Sequence, residues 1–219
     1  MRWAWLLLPL VLAGCEAGTT TDELSRPFHS WQALRFTNIQ RQRTDFTCGA
    51  AALSAIAVHY YGKPIKEVEF TTTIRKLYSK DDWQKVTKEG LSLLDMKHAA
   101  QAYGFDAEGL KLTMDDLRAL KGPVIIHLDK GFIQHFSVFR GIEGDRAYLA
   151  DPINGNSRVP LYRFKQEWTG YALAIWLPGQ GLPATNALAV SPRDAPSELN
   201  WRRDAMYNVT PRQFTPNNQ

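Results

Sequence analysis

At Gly122-Pro123 the hydrophobic pattern of this chain changes period, and no other feature constrains the fold as much. Before that point apolar residues recur at helical spacing. Leu53, Ile56, Ala57 and Tyr60 stand at i, i+3, i+4 and i+7, which predicts a helix over 48–61. Thr47 or Asp45 can cap its start, and Gly62 and Pro64 end it. The charged stretch 65–88 reads as partly helical. A second helix is predicted over 92–103, opened by Ser92 and Asp95 and closed by Gly104. A third and shorter one starts at Thr113, with Asp116 three residues on, and stops before Gly122. Beyond it, segments 124–128, 134–140, 146–151 and 171–177 read as strands, separated by the turns Asp129-Lys130-Gly131, Gly144-Asp145 and Asn154-Gly155. Helices first and strands second imply an α+β domain, its N-terminal helices packed on a C-terminal antiparallel sheet.

A chain of 219 residues favours a single core. The 26 basic side chains are scattered among 22 acidic ones, so no clustered basic face and no nucleic-acid partner is expected. One or two thiols and a dispersed set of histidines do not make a zinc site, and no phosphate-cradling glycine loop or Gly-x-Ser-x-Gly elbow is present. No metal and no cofactor is expected.

The N-terminus carries its own signal. Arg2 precedes an apolar run over 6–12, which is too short for a membrane span and has the form of a signal peptide covering 1–17. Leu12-Ala13-Gly14-Cys15 resembles the bacterial lipobox, in which the Cys becomes the lipidated first residue. Cleavage after Ala17 is the alternative, and it would discard Cys15. Either way the expected location is the periplasm, lipid-anchored in the first case. Residues 18–37 read as a spacer, 38–177 as the folded domain and 178–219 as a tail, with a turn of helix near 198–207.

With Cys15 lipidated or removed, Cys48 is the one thiol left, in a compartment that favours disulfides. Such a thiol is either buried and inert or has a chemical task. Cys48 opens a predicted helix, whose N-terminal partial charge favours a thiolate and whose amides can donate to an oxyanion. Gly49 is expected to leave room for a substrate backbone. Taken alone, Cys48 also fits as a small core residue on an Ala-rich face. Of five histidines, His135 stands out for what faces it. If the turn Gly141-Ile142-Glu143-Gly144-Asp145 is centred on Glu143, His135 and Asp151 become direct cross-strand partners with Cβ atoms about 4.5–5.5 Å apart. An Asp there can accept an imidazole N–H and stabilise the imidazolium. A one-residue bulge would break that register. Nucleophile on a helix N-terminus, then a His–Asp pair on a later sheet, is the papain-type layout.

The residues also carry a family resemblance. Gln42-Arg43-Thr44-Asp45-Phe46-Thr47-Cys48-Gly49-Ala50-Ala51, Gln134-His135-Phe136-Ser137-Val138, Tyr148-Leu149-Ala150-Asp151-Pro152 and Trp168-Thr169-Gly170 together resemble the double-glycine leader peptidases. These are bacteriocin-processing, papain-like cysteine peptidases, and the resemblance covers about 38–177. It implies a papain-like fold, a triad of Cys48, His135 and Asp151, Gln42 as the oxyanion-hole residue, and cleavage after small residues. Many members form the N-terminal domain of an ABC exporter. The export signal and the lack of transporter spans and ATPase motifs here are more similar to the stand-alone component of functional-amyloid secretion operons. That implies a peptide or protein substrate, such as a leader or a secreted fibril subunit, with an outer-membrane exporter as candidate partner. The leading expectation is an exported thiol endopeptidase. A non-catalytic peptide-binding or chaperone module, or an acyltransferase or amidase on the same scaffold, stays open at this level.

Overall fold

The computed structural model describes residues 30–131, 134–191 and 194. The expected signal peptide and lipobox, most of the spacer and the turn of helix near 198–207 lie outside the described residues.

A short helix, α1 (Trp31–Arg35), falls inside the expected spacer. The central helix α2 (Cys48–His59) is buried from Cys48 to Ala57 on every side, so it is a core helix rather than an amphipathic one. Its alanines leave little side chain in the way, letting α3 (Glu67–Arg75) and later elements pack close to its backbone. Helix α4 (Lys80–Glu89) follows, and with α3 it accounts for the helical part of the charged stretch. Helix α5 (Leu93–Ala102) opens with the Ser92–Asp95 capping box, leads into strand β1 (Asp106–Lys111), and is followed by α6 (Met114–Ala119) behind the same device at Thr113 and Asp116. Then come β2 (Val124–Asp129), β3 (Gln134–Glu143), β4 (Arg146–Asp151), β5 (Gly155–Pro160), α7 (Leu161–Glu167) and β6 (Trp168–Trp176).

The six strands form one antiparallel sheet in the order β1-β6-β2-β3-β4-β5. One apolar cluster joins α2, α3 and α5 to one face through Leu53, Ile56, Phe70, Met96, Ile125 and Val138. A second lies under the other face, where Leu117, Ile126, Phe139, Leu149 and Phe164 meet. Each such buried side chain contributes about 1.5–3 kcal/mol of transfer free energy, so the central strands are held from both sides. The expected α+β arrangement of helices on an antiparallel sheet is what the chain adopts.

Three findings differ from the sequence expectations. Strands β1 and β5 were not anticipated. Both are sheet edges, short and polar, and they pair through backbone rather than through an apolar stripe. Next, the stretch after β6 does not leave the body at once. Leu188 is buried in the main cluster, and the Ala187 amide donates to His59 O at 3.1 Å. The third concerns the β3–β4 hairpin. It turns on Gly144-Asp145, with Glu143 opposite Arg146, rather than on a loop centred on Glu143. That turn alone would set Asp151 opposite Val138, on the other face from His135. A bulge between Phe139 and Gly141 shifts the register by one residue and pairs Val138 with Ala150. Continued by one step, the register sets Asp151 opposite Ser137, on the face it shares with His135. The bulge that was expected to break the pair is what makes it.

Candidate active site

Three elements converge at one end of the sheet. Cys48 is the first residue of α2, at the position where first-turn amides have no partner within the helix. Thr47 is the N-cap residue, but its side chain makes no capping bond. Its hydroxyl turns back instead and donates to Thr44 O at 2.9 Å. Neither Thr47 nor Asp45 occupies the amides at the head of the helix in the way the sequence suggested. Gly49 does not leave space for a substrate either. A methyl group there would collide with the Met96 thioether, so Gly49 is small because α5 packs against it.

His135 stands at the start of β3 and Asp151 at the end of β4, 1% and 2% exposed. They meet on a diagonal, with His135 Nε2 3.0 Å from Asp151 Oδ2. The contact is close rather than well aligned, since neither ring nitrogen makes a hydrogen bond of good geometry. Catalytic hydrogen bonds are often loose before substrate binds. Asp151 is at the same time a turn-former. Its Oδ1 accepts from the Ile153 and Asn154 amides at 2.8 and 2.9 Å, and this fixes the direction of Oδ2.

The electrostatics follow from that geometry. Burial alone would lower the His135 pKa. The Asp151 carboxylate, then the Cys48 thiol, outweigh it and raise the value from 6.5 to about 9. Burial would likewise raise the Asp151 pKa. The His135 ring and the Asn154 and Ile153 amides outweigh it and hold the carboxyl at about 2. At neutral pH the pair is therefore an imidazolium beside a carboxylate.

Gln42 reaches the same place through its backbone. Its amide donates to Pro152 O at 3.1 Å, next to Asp151, and the neighbouring Arg43 amide donates to buried Glu67 at 3.0 Å. The Gln42 Oε1 atom is buried without a hydrogen-bond partner. All four residues singled out from the sequence thus lie at one end of the sheet. Two others were missed. Lys130 Nζ lies 3.9 Å from Asp151 Oδ2, and His127 lines the cleft beside Cys48 with Nδ1 3.1 Å from Thr169 Oγ1. His127 had no motif to mark it, and only its pairing with Phe136 across β2 and β3 brings it to the cleft.

Cys48 opens into a cleft of about 800 Å3 that Phe46, Leu91, Leu93, Phe136 and Tyr171 help to line. Asp45, Lys88, Glu89, Ser92 and Gln134 share the lining with these apolar side chains, and a cleft of that volume and mixed polarity can take a bound peptide segment. Among the described residues, no cluster of three His, Cys, Asp or Glu side chains could hold a metal ion.

Comparison with known proteins agrees with this picture. A family model described as Peptidase C39 family matches residues 37–178. The probable functional amyloid protease FapD of Pseudomonas fluorescens is 34% identical over 200 residues, spanning 88% of this chain and 86% of the relative. The protein of the same name from Pseudomonas aeruginosa is 34% identical over 158 residues, spanning 72% and 68%. Among solved structures, the peptidase domain of Streptococcus ComA, a bi-functional ABC transporter involved in a quorum sensing pathway, matches with a TM-score of 0.55 and 27% identity. The match covers 64% of this chain and 98% of that domain.

Proposed function

This chain belongs to the Peptidase C39 family and is a cysteine peptidase, and from that premise we propose that it is an exported endopeptidase using Cys48 as nucleophile, His135 as general acid and base, Asp151 as the group that orients the imidazole and Gln42 in the oxyanion hole. The observation that carries the assignment is the buried His135–Asp151 pair at 3.0 Å, set behind a thiol at the head of an uncapped helix. In this reading the Cys48 sulfur attacks the scissile carbonyl carbon and its proton resides on His135. Charge develops on the carbonyl oxygen and is met by first-turn amides of α2 and by the Gln42 carboxamide. Collapse of that intermediate breaks the C–N bond, and His135 protonates the departing amine. Water, deprotonated by His135, then hydrolyses the thioester and restores Cys48.

The substrate in this proposal is a secreted or assembling protein cut after small residues. The functional-amyloid relatives favour a fibril component or its leader, with an outer-membrane exporter as partner. Export rests on the Arg2-led apolar run and on Leu12-Ala13-Gly14-Cys15, with lipid attachment at Cys15. The test is mass spectrometry of secreted proteins from cells carrying the wild-type or the Cys48→Ala chain. An uncut precursor should accumulate with the variant. The same mature termini from both strains would refute the assignment. Fractionation of a Cys15→Ser variant tests the anchor separately. Wild-type protein already in the soluble periplasm would remove the anchor and leave the peptidase assignment intact.

A further inference from the structure

The Arg140 side chain does more than a surface arginine needs to. It is the extra residue of the β3 bulge, its side chain is 5% exposed, and its guanidinium makes five hydrogen bonds. Nε donates to Leu188 O at 2.8 Å and Nη2 to Ala189 O at 2.8 Å. Nη1 and Nη2 grip the two carboxylate oxygens of Asp194 at 3.1 and 3.0 Å. Nη1 also reaches Asn156 Oδ1 at 2.7 Å. Asn156 pairs with Ala150 on β4, one step from the pairing of Asp151 with Gly155. Gly141, the other bulge residue, has φ 156° and no side chain, and a methyl group there would press on Val190 at 3.2 Å. Residues 186–191 together with Asp194 thus lie as a strap against the bulge, and all of them are beyond the segment 37–178 that the family model covers.

The bulge decides which face Asp151 shares. A bulge leaves its extra residue unpaired and disrupts the ladder locally, so contacts from outside the ladder can fix where it sits. A bidentate, buried arginine is among the stiffest supports available, because its planar fork loses little freedom per bond formed. We infer that Arg140, held by the strap through Asp194, is a positioning residue that keeps the β3 bulge in the register that brings Asp151 to His135. This rests on the proposed roles of Cys48, His135 and Asp151. None of the described strap residues lines the cleft, and although the strap also meets the far end of α2 at His59, Asp194 takes no part in that contact, so its loss acts on the bulge first.

The test is the rate of Cys48 alkylation by iodoacetamide across pH, measured on the full chain as wild type, Asp194→Ala, Asp194→Glu and Arg140→Met, with thermal unfolding in parallel. The wild type should react rapidly at neutral pH, with the imidazolium limb near pH 9 set by the raised His135. Asp194→Ala and Arg140→Met should lose about 10-fold or more of the neutral-pH rate and move the alkaline limb down, since a misplacement of about 1 Å can cost up to about 100-fold. Asp194→Glu, which keeps the ion pair, should restore the wild-type profile. Variants that melt earlier but keep the wild-type profile while folded would show a purely structural strap and overturn the inference. If Arg140→Met does not fold, the two Asp194 variants decide the matter alone. A wild type without fast neutral-pH alkylation would instead refute the catalytic reading itself, so the two failures are distinguishable.

Discussion

Cys48 is placed by the twelve residues of its own helix, whereas Asp151 is placed by segments that lie far apart in the chain. The α2 sequence is apolar all round and needs only partners to pack against, so the position of its first residue follows from a core that many contacts define. Asp151 depends on a bulge at Arg140, on the Gln42 backbone amide at Pro152, on the Arg35 guanidinium at Asn154 O, and on Asn156, whose side-chain Nδ2 donates to Thr37 O at 2.9 Å. The proposed nucleophile is thus locally encoded and densely buttressed. The placing of the Asp151 carboxylate is a product of tertiary structure, and what holds it includes Arg35 before the matched family segment and, through Arg140, the strap beyond it.

The sharpest way to break this comparison is Asp151→Asn. Asn keeps an oxygen acceptor for the Ile153 and Asn154 amides, so the turn survives while the charge on Oδ2 is lost. Turnover should drop by at least about 100-fold, with a much smaller change in thermal unfolding. Activity within a few-fold of wild type would mean that Asp151 serves only the turn.

Alkaline pH probes the same pair through stability. The His135 pKa is raised on folding, so its stabilising contribution is complete below about 6.5 and is lost as pH climbs through about 9. The Asp151 pKa is depressed, so its share is present above 3.8 and disappears as pH falls through about 2. Both are views of one ion pair and count once. Melting temperature should therefore fall between pH 7 and 10 in the wild type by the equivalent of a few kcal/mol and less in Asp151→Asn. Parallel curves for the two proteins would contradict the coupling.

Gly49→Ala tests the other half of the comparison and carries the smallest effect. The new methyl group meets Met96 inside a filled core, at a cost of about 1–3 kcal/mol in chemical denaturation. Met96→Ala in the same chain should recover part of that loss. A Gly49→Ala protein of unchanged stability would show that the glycine is there for substrate after all.

The parts of the fold that the sequence revealed are those with a strong local signature. Ser92 with Asp95 and Thr113 with Asp116 mark helix starts because the bonds they make span only three residues. The central strands were legible because burial on both faces makes them apolar. Asp106-Ala107-Glu108-Gly109-Leu110-Lys111 and Gly155-Asn156-Ser157-Arg158-Val159-Pro160 gave no such signal, since an edge strand is held by backbone bonds to a partner the sequence does not name. The residues proposed for the site do come together at one end of the sheet, but not in the pairing the sequence suggested. Cys48, His135 and Asp151 stood out by residue type, order and spacing and Gln42 by the family resemblance, yet the direct cross-strand pairing was wrong, because the hairpin turns on Gly144-Asp145 and a bulge, which leaves little trace in composition, resets the register.

By itself, then, the sequence determined the class of fold and the family, and it nominated the residues proposed to carry the chemistry. Residue type limits what can act as nucleophile, base or acid, and hydrophobic period limits what can be helix or strand. The tertiary structure decided which way those residues face. Side chains alternate along a strand, so a shift of one residue sends Asp151 to the other side of the sheet. The single-residue bulge at Arg140 sets that parity, and the Arg140 side chain is bonded there by Leu188, Ala189 and Asp194, more than forty positions away in the chain.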